Sequence, residues 1–229
     1  MRNYVIGDIH GAYKALMDCL AAADFDYRND RLICLGDACD GWPEVNLVLE
    51  ELLKIEHLVY ILGNHDYWAL KWFETAVAPG IWLSQGGNAT LASYRESIPP
   101  SHVELLKKAR EYYILNNKLF VHGGIIRDIP LEKQDKEIFL WDRSLVNSAI
   151  ELHYDALDRQ LTSFDEIFLG HTPTLNFDSL QPIKACEVWL MDTGAGWPGG
   201  VLSMMNIASH EVFQSRPVDG YYPGYQGRK

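Results

Sequence analysis

Five short stretches of the 229-residue chain concentrate the residue types that do chemistry. They read Gly7-Asp8-Ile9-His10-Gly11, Gly36-Asp37-Ala38-Cys39-Asp40-Gly41, Gly63-Asn64-His65-Asp66, Val121-His122-Gly123-Gly124 and Gly170-His171-Thr172-Pro173. A carboxylate and an imidazole two residues apart are costly to desolvate unless they are paired or bound to a metal. Asp, Asn and His together offer hard and borderline donors with no thiolate. That set suits manganese, iron or zinc better than an all-oxygen calcium site. Taken singly, each stretch is weak: Asp-x-His after a strand is more often a turn, and GHTP could be a hairpin corner. Recurrence of all five, each behind an apolar run, points to one metal site. His57, His102, His153 and His210 have no such context and read as ordinary.

These stretches need elements to hold them. Tyr4–Ile6, Leu32–Leu35 and Leu58–Leu62 read as strands, and Tyr13–Ala23 and Pro43–Ile55 as helices. Strands alternating with helices predict βαβ units and a largely parallel sheet. The strands are apolar runs without alternation, as expected when both faces are covered. Past Pro99 a short helix is expected over 101–110, followed by strands Tyr112–Leu115 and Lys118–Val121 around an Asn116-Asn117 hairpin turn. A helix over 144–161 and strands Glu166–Leu169, Val188–Met191 and Val201–Asn206 complete the reading. The expected fold is α/β, two packed mixed β-sheets flanked by helices, in one domain over 1–229. Ligands of such sheets bind at the carboxyl ends of the strands, where the five stretches fall.

Composition sets outer bounds. A formal net charge of −11 argues against a nucleic-acid backbone as partner. It leaves room for a local phosphate site, because bound metal ions reverse the field inside a cleft. No apolar run reaches the ~18 residues of a membrane span, and the start of the chain lacks the pattern of a signal peptide. Cys19, Cys34, Cys39 and Cys186 show no CxxC spacing and read as thiols in a reducing cytoplasm. The expected location is therefore cytoplasmic, without membrane attachment. Composition leaves the oligomeric state open.

The five stretches, in this order, resemble the metallophosphoesterases with a calcineurin-like fold. More closely they resemble the bacterial and phage serine/threonine phosphoprotein phosphatases, whose pattern is GDxHG, GDxxDRG, GNH(D/E), HGG and GH. The similarity runs from residue 7 to about residue 200 and takes in Asp192-Thr193-Gly194-Ala195. It implies two divalent metal ions, manganese first, with iron or zinc as alternatives. Asp8 and His10 would hold one, Asp37 would bridge both, and Asn64, His122 and His171 would complete the second. A hydroxide shared by the metals would attack a phosphomonoester. His65 would protonate the leaving group, oriented by Asp40, and Asn64 would also face the substrate phosphate. The implied substrate is a phosphoprotein or a small phosphoester.

One departure stands out. The family carries Arg after the second Asp of GDxxDRG, where this chain has Gly41. Arg143, in Leu140-Trp141-Asp142-Arg143, is the replacement candidate for the lost phosphate contact. Its other reading is a surface arginine paired with Asp142, and Arg127 is a weaker candidate. Tyr67, Trp68, Trp72 and Phe73 read better as the packed face of a helix than as a substrate cleft. The segment 194–200 reads as a turn. Specificity is expected in loops 75–100 and 125–140. Two alternatives stand beside the phosphatase reading. One is a symmetrical dinucleoside tetraphosphate hydrolase, a relative in which the Asp40 position is usually not acidic while the following Arg is present. The other is an inactive scaffold, which would be expected to have lost ligands or the acid histidine.

Overall fold

The computed structural model describes residues 1–94 and 97–228. Two five-stranded sheets lie face to face. The first has the order β10-β9-β1-β2-β3 and the second β4-β5-β6-β8-β7. In the first, β1 (Asn3–Ile6), β2 (Arg31–Cys34) and β3 (His57–Tyr60) run parallel. The late strands β9 (Ser203–Asn206) and β10 (Val212–Gln214) add antiparallel on the far side of β1. In the second, β5 (Lys118–Val121), β6 (Glu166–Leu169) and β8 (Val188–Leu190) run parallel. Its edges are the antiparallel strands β4 (Tyr112–Leu115) and β7 (Ile183–Ala185).

Asn116 and Asn117 both take positive φ, 50° and 57°, which is the geometry of a two-residue turn matched to strand twist. The expected division of the chain into an N-terminal and a C-terminal sheet needs one amendment. β9 and β10 return to the first sheet, where β9 satisfies the backbone N–H and C=O groups that β2 leaves free on the other edge of β1.

Val5, Ile33, Leu35 and Ile61 of the first sheet face Phe120, Phe168 and Met191 of the second. Phe120 and Phe168 stack at 5.0 Å between ring centroids. The outer face of the first sheet is covered by α1 (Tyr13–Ala22) and α2 (Val45–Leu52). The outer face of the second is covered by α7 (Lys136–Trp141) and α8 (Ser144–Tyr154). Helix α2 starts at Val45, two residues past Pro43. Helix α8 stops at Tyr154, well short of Leu161. Helix α3 (Asn64–Thr75) begins inside the GNHD stretch. The expected loop over 75–100 contains the single turn α4 (Gly80–Trp82), α5 (Asn88–Ser93) and the start of α6 (Pro100–Lys107), which begins on Pro100 rather than Ser101. Residues 95 and 96 of that stretch lie outside the described residues. The loop expected over 125–140 contains most of α7.

Candidate active site

Every candidate metal ligand, and the Asp40–His65 pair with them, sits just past the carboxyl end of a parallel strand; Arg143 instead lies between α7 and α8. Asp8 and His10 follow β1, Asp37 and Asp40 follow β2, and Asn64 and His65 open α3 after β3. From the second sheet, His122 follows β5 and His171 follows β6. The loops are stitched together by backbone: the amides of Ile9 and His10 donate to the Asp37 carbonyl at 3.0 and 2.8 Å. The Asp66 carboxylate accepts the amides of Asp37, Ala38, Cys39 and Gly63 and the Tyr60 hydroxyl, which locks the turn after β2 against the start of α3.

This packing leaves no room for side chains at two glycines. A Cβ on Gly63 would fall 2.0 Å from Asp37 Oδ1, and one on Gly170 would fall 2.3 Å from Asp8 Oδ1. His10, Asp37, Asp40 and His171 all hold positive φ, between 49° and 70°. Non-glycine residues rarely accept that conformation, and it gathers where surrounding structure over-determines it.

The side chains form two triads that share Asp37: Asp8–His10–Asp37 and Asp37–His122–His171, with ligand-type atoms inside each triad within 4.8 Å of one another. All are buried. His10 donates from Nδ1 to the Cys39 carbonyl at 2.9 Å, so its Nε2 lone pair faces the centre. Burial and the nearby Arg228 guanidinium push the His10 imidazole toward its neutral form. Burial and His122 do the same to His171. Neutral imidazoles are the ones that bind metal. Burial would lower His122 too, but Asp37, 3.4 Å away, outweighs it and holds His122 up at about 9. In turn His122 helps to hold Asp37 low despite burial. Burial and Asp192 raise Asp8.

The donor set fits metal ions on an observation independent of motif. Asp37 Oδ2, His171 Nε2 and Asp192 Oδ2 are buried with no hydrogen-bond partner, and these are ligand-type atoms at or beside the triads. Buried polar atoms left without a hydrogen bond are costly, and divalent cations bound to these atoms would remove that cost. Asp192, which the sequence reading takes in only as part of the family resemblance, is assigned no role at the site there. It follows β8 as the others follow their strands, and burial lifts its carboxyl to about 6. Its place at a parallel strand end, beside the other clusters, is the signal that could have given it a role.

Beside the triads, His65 Nδ1 meets Asp40 Oδ2 at 2.6 Å. Asp40 also accepts from Trp82 Nε1 at 2.7 Å and Thr90 Oγ1 at 2.6 Å, so its carboxylate is fixed from three directions. A carboxylate only accepts, so the proton lies on Nδ1 and Nε2 is left for the adjoining cavity. That cavity is about 470 Å³, and Asn64, His65, Trp68, Trp141, Arg143 and His171 are among its walls. Arg143 is drawn into it, with Nη2 3.4 Å from the His171 carbonyl, and is not paired with Asp142. Arg127 lines a different cavity. The aromatic run divides: Trp68 lines the cavity 5.2 Å from His65, whereas Trp72 and Phe73 pack in the core against Trp82 and Tyr94. The 194–200 turn puts Trp197 in the cavity wall as well.

With this geometry in view, comparison with known proteins is decisive. The calcineurin-like phosphoesterase family matches residues 1–202. The chain belongs to the calcineurin-like phosphoesterase family. Among its relatives is serine/threonine-protein phosphatase 2 of Escherichia coli, 39% identical over 199 residues, covering 84% of this chain and 87% of that protein. Serine/threonine-protein phosphatase 1 of Salmonella typhimurium is 27% identical over 213 residues, 89% of this chain and 91% of the relative. The symmetrical bis(5'-nucleosyl)-tetraphosphatase of Coxiella burnetii is 27% identical over 184 residues, 78% of this chain but 57% of the relative. Among solved structures, a putative diadenosine tetraphosphatase shares the fold with a TM-score of 0.70 at 19% identity, covering 94% of this chain and 93% of that one. Family and ligand clusters together make this calcineurin-like phosphoesterase a metal-dependent phosphoric ester hydrolase, which removes the inactive-scaffold alternative. No helix among the described residues is long and apolar enough to cross a membrane.

Proposed function

We propose that the chain hydrolyses phosphate esters at a two-metal centre, with His65 as proton donor to the leaving group. The observation that carries this is the Asp40–His65 pair, whose imidazole lines the same cavity as Asn64 and as His171 of the second triad. Asp8 and His10 would hold one ion, Asn64, His122 and His171 the other, with Asp37 common to both. When bound, two divalent ions supply Lewis acidity at the phosphoryl oxygens and lower the pKa of water, manganese being the first candidate. The chain's own residues do the rest. Arg143 attracts the phosphate. Asp40 fixes the His65 ring, and His65 Nε2 delivers a proton to the departing oxygen. The packed loops after β1, β2 and β6 keep bulk water from the buried carboxylates.

Two substrate classes are supported by different observations. Trp68, Trp141 and Trp197 in the cavity wall favour a leaving group with an aromatic face, as a dinucleoside polyphosphate has. The substrate named for the Coxiella relative is of that class. The acidic Asp40 and the names of the Escherichia and Salmonella relatives support a phosphoprotein. The cavity wall belongs to this chain itself, so we place the nucleotide reading first.

Kinetics with Mn²⁺ on a dinucleoside tetraphosphate, a phosphoserine peptide and nitrophenyl phosphate test both levels. A kcat/KM at least tenfold higher on the dinucleoside than on the peptide supports the nucleotide reading, and the reverse order supports the phosphoprotein reading. No turnover of any of them with Mn²⁺, Fe²⁺ or Zn²⁺ would remove the proposed function altogether.

A further inference from the structure

The segment after Tyr222 reaches back into the active site. Its near end is pinned by Tyr222, whose ring stacks on Trp42 at 5.3 Å and whose hydroxyl donates to Glu44 at 2.6 Å. Its far end is pinned by the Arg228 amide, which donates to the Gly196 carbonyl at 2.7 Å. Between these anchors Gly227 packs on the Trp42 ring. The result delivers one guanidinium to the cavity.

That guanidinium lies over the Trp197 ring at 4.3 Å. Its Nη2 donates to Gln85 at 3.3 Å, and its Nη1 lies 3.1 Å from His10 Nε2. Nε is buried and has no hydrogen-bond partner among the described residues. The cavity wall includes both Arg228 and Arg143. One arginine stands beside His10 of the first triad, the other beside His171 of the second. Stacking on an aromatic face holds a guanidinium in one plane while leaving its edge free to donate.

We propose that Arg228 is a substrate-binding residue that donates to the oxygens of the phosphate group, opposite Arg143. The proposal rests on the phosphoesterase reading above. The Nη1 and Nη2 groups, held only by His10 and by a long 3.3 Å bond to Gln85, are the donors an oxyanion in the cavity would take. A lone pair of His10 committed to a metal ion is no longer available to Nη1. Nη1, released from His10, and Nη2 beside it then present two adjacent N–H groups to one anion, the fork that matches phosphate. Room for the side chain is built in. A Cβ on Gly196 would fall 2.9 Å from Arg228 Cδ, and one on Gly41 would fall 3.5 Å from Arg228 Cγ. Gly41 is the position where the resemblance expects an arginine, so Arg228 enters the space that its absence leaves. The larger neighbouring cavity, about 760 Å³ and bordered by Gly41, Pro43 and Tyr225, has no acidic or basic side chain in its wall and is not a competing anion site.

The test is calorimetric binding of inorganic phosphate to the full chain loaded with Mn²⁺, beside elemental analysis of metal. Arg228→Ala should weaken phosphate binding about 10- to 100-fold, the range of a charged two-donor contact, at unchanged metal content. Arg228→Lys should recover only part of the loss, since an ammonium offers a point charge without the fork. Trp197→Leu should weaken binding severalfold by freeing the guanidinium plane. Phosphate affinity in Arg228→Ala within twofold of the unaltered chain overturns the proposal. So does a loss of phosphate binding that tracks a loss of metal. If the unaltered, metal-loaded chain binds no phosphate, the phosphoesterase reading falls and this proposal with it.

Discussion

Asp37 occupies two roles with two oxygens. Oδ1 accepts the His65 amide at 2.9 Å, while Oδ2 is buried without a partner and belongs to both triads. Asp37→Asn keeps the first role and halves the second. It should lower bound metal to at most one ion per chain by elemental analysis and abolish turnover; two ions retained would refute a shared carboxylate. His65 is a different kind of residue, with its ring hydrogen-bonded to Asp40 and to no triad side chain. His65→Asn should keep its metal and lose rate by ~10²–10⁴-fold on alkyl phosphates, the usual contribution of a general acid. Nitrophenyl phosphate, whose leaving group needs no proton, should lose much less, and Asp40→Asn should show the same contrast more weakly. Equal losses on both substrates would mean that His65 acts on the phosphate or the nucleophile instead. The side chains of this centre were legible because their types repeat at strand ends. Arg228 was not, because nothing local marks a residue that reaches the site by tertiary folding alone.

At the scale of elements, the parallel strands were readable as short apolar runs and the Asn116-Asn117 turn from its residue types. What escaped was pairing over distance. β9 lies beside β1 by backbone pairing between segments about 200 residues apart, and no local pattern encodes that. The short helices between 80 and 93 escaped for a related reason: Trp82 and Thr90 are there to bond Asp40, a tertiary demand. A smaller device sets the start of the first sheet. The Asp30 carboxylate accepts the backbone amides of Arg2 and Asp26, together with the Arg2 guanidinium. Burial alone would raise its pKa, and these bonds outweigh burial and hold it below the usual 3.8. A carboxyl depressed on folding stabilises the fold above its unfolded pKa, and that stability is lost as pH falls through the folded one. Asp30→Asn should therefore cost about 1 kcal/mol at neutral pH, since Arg2 is half in solvent and adds little. The gap to the unaltered chain should persist down to pH ~4 and close below it in urea titrations. A gap that widens on acidification would contradict the assignment.

At the scale of the whole molecule, the centre spans the interface between sheets. Asp8, His10, Asp37 and Asn64 come from the first sheet, His122 and His171 from the second. An ion held by both binds the folded sandwich and not the separated sheets. At a hundredfold excess over its dissociation constant, a metal adds about 2.7 kcal/mol to stability. For a chain of this length that is roughly 5–10 °C in Tm. A chelator should lower Tm by that amount in the unaltered protein and by clearly less in Asp37→Asn. An equal drop in both would place the stabilising ion elsewhere.

The pairing of Tyr4 with Asn206 has a consequence for synthesis. β1 acquires its second neighbour only after about 200 further residues have been made. At roughly 5–20 residues per second that is a wait on the order of 10–40 s. During it β1 can pair with β2, but its other edge, carrying Val5 and Ile6, stays open to any passing strand. The nascent chain is thus most prone to aggregation while its βαβ half is complete and its last strands are not. Translational pauses before residue 203 should lower the soluble yield, and chaperones that shield strand edges should act mainly in that interval.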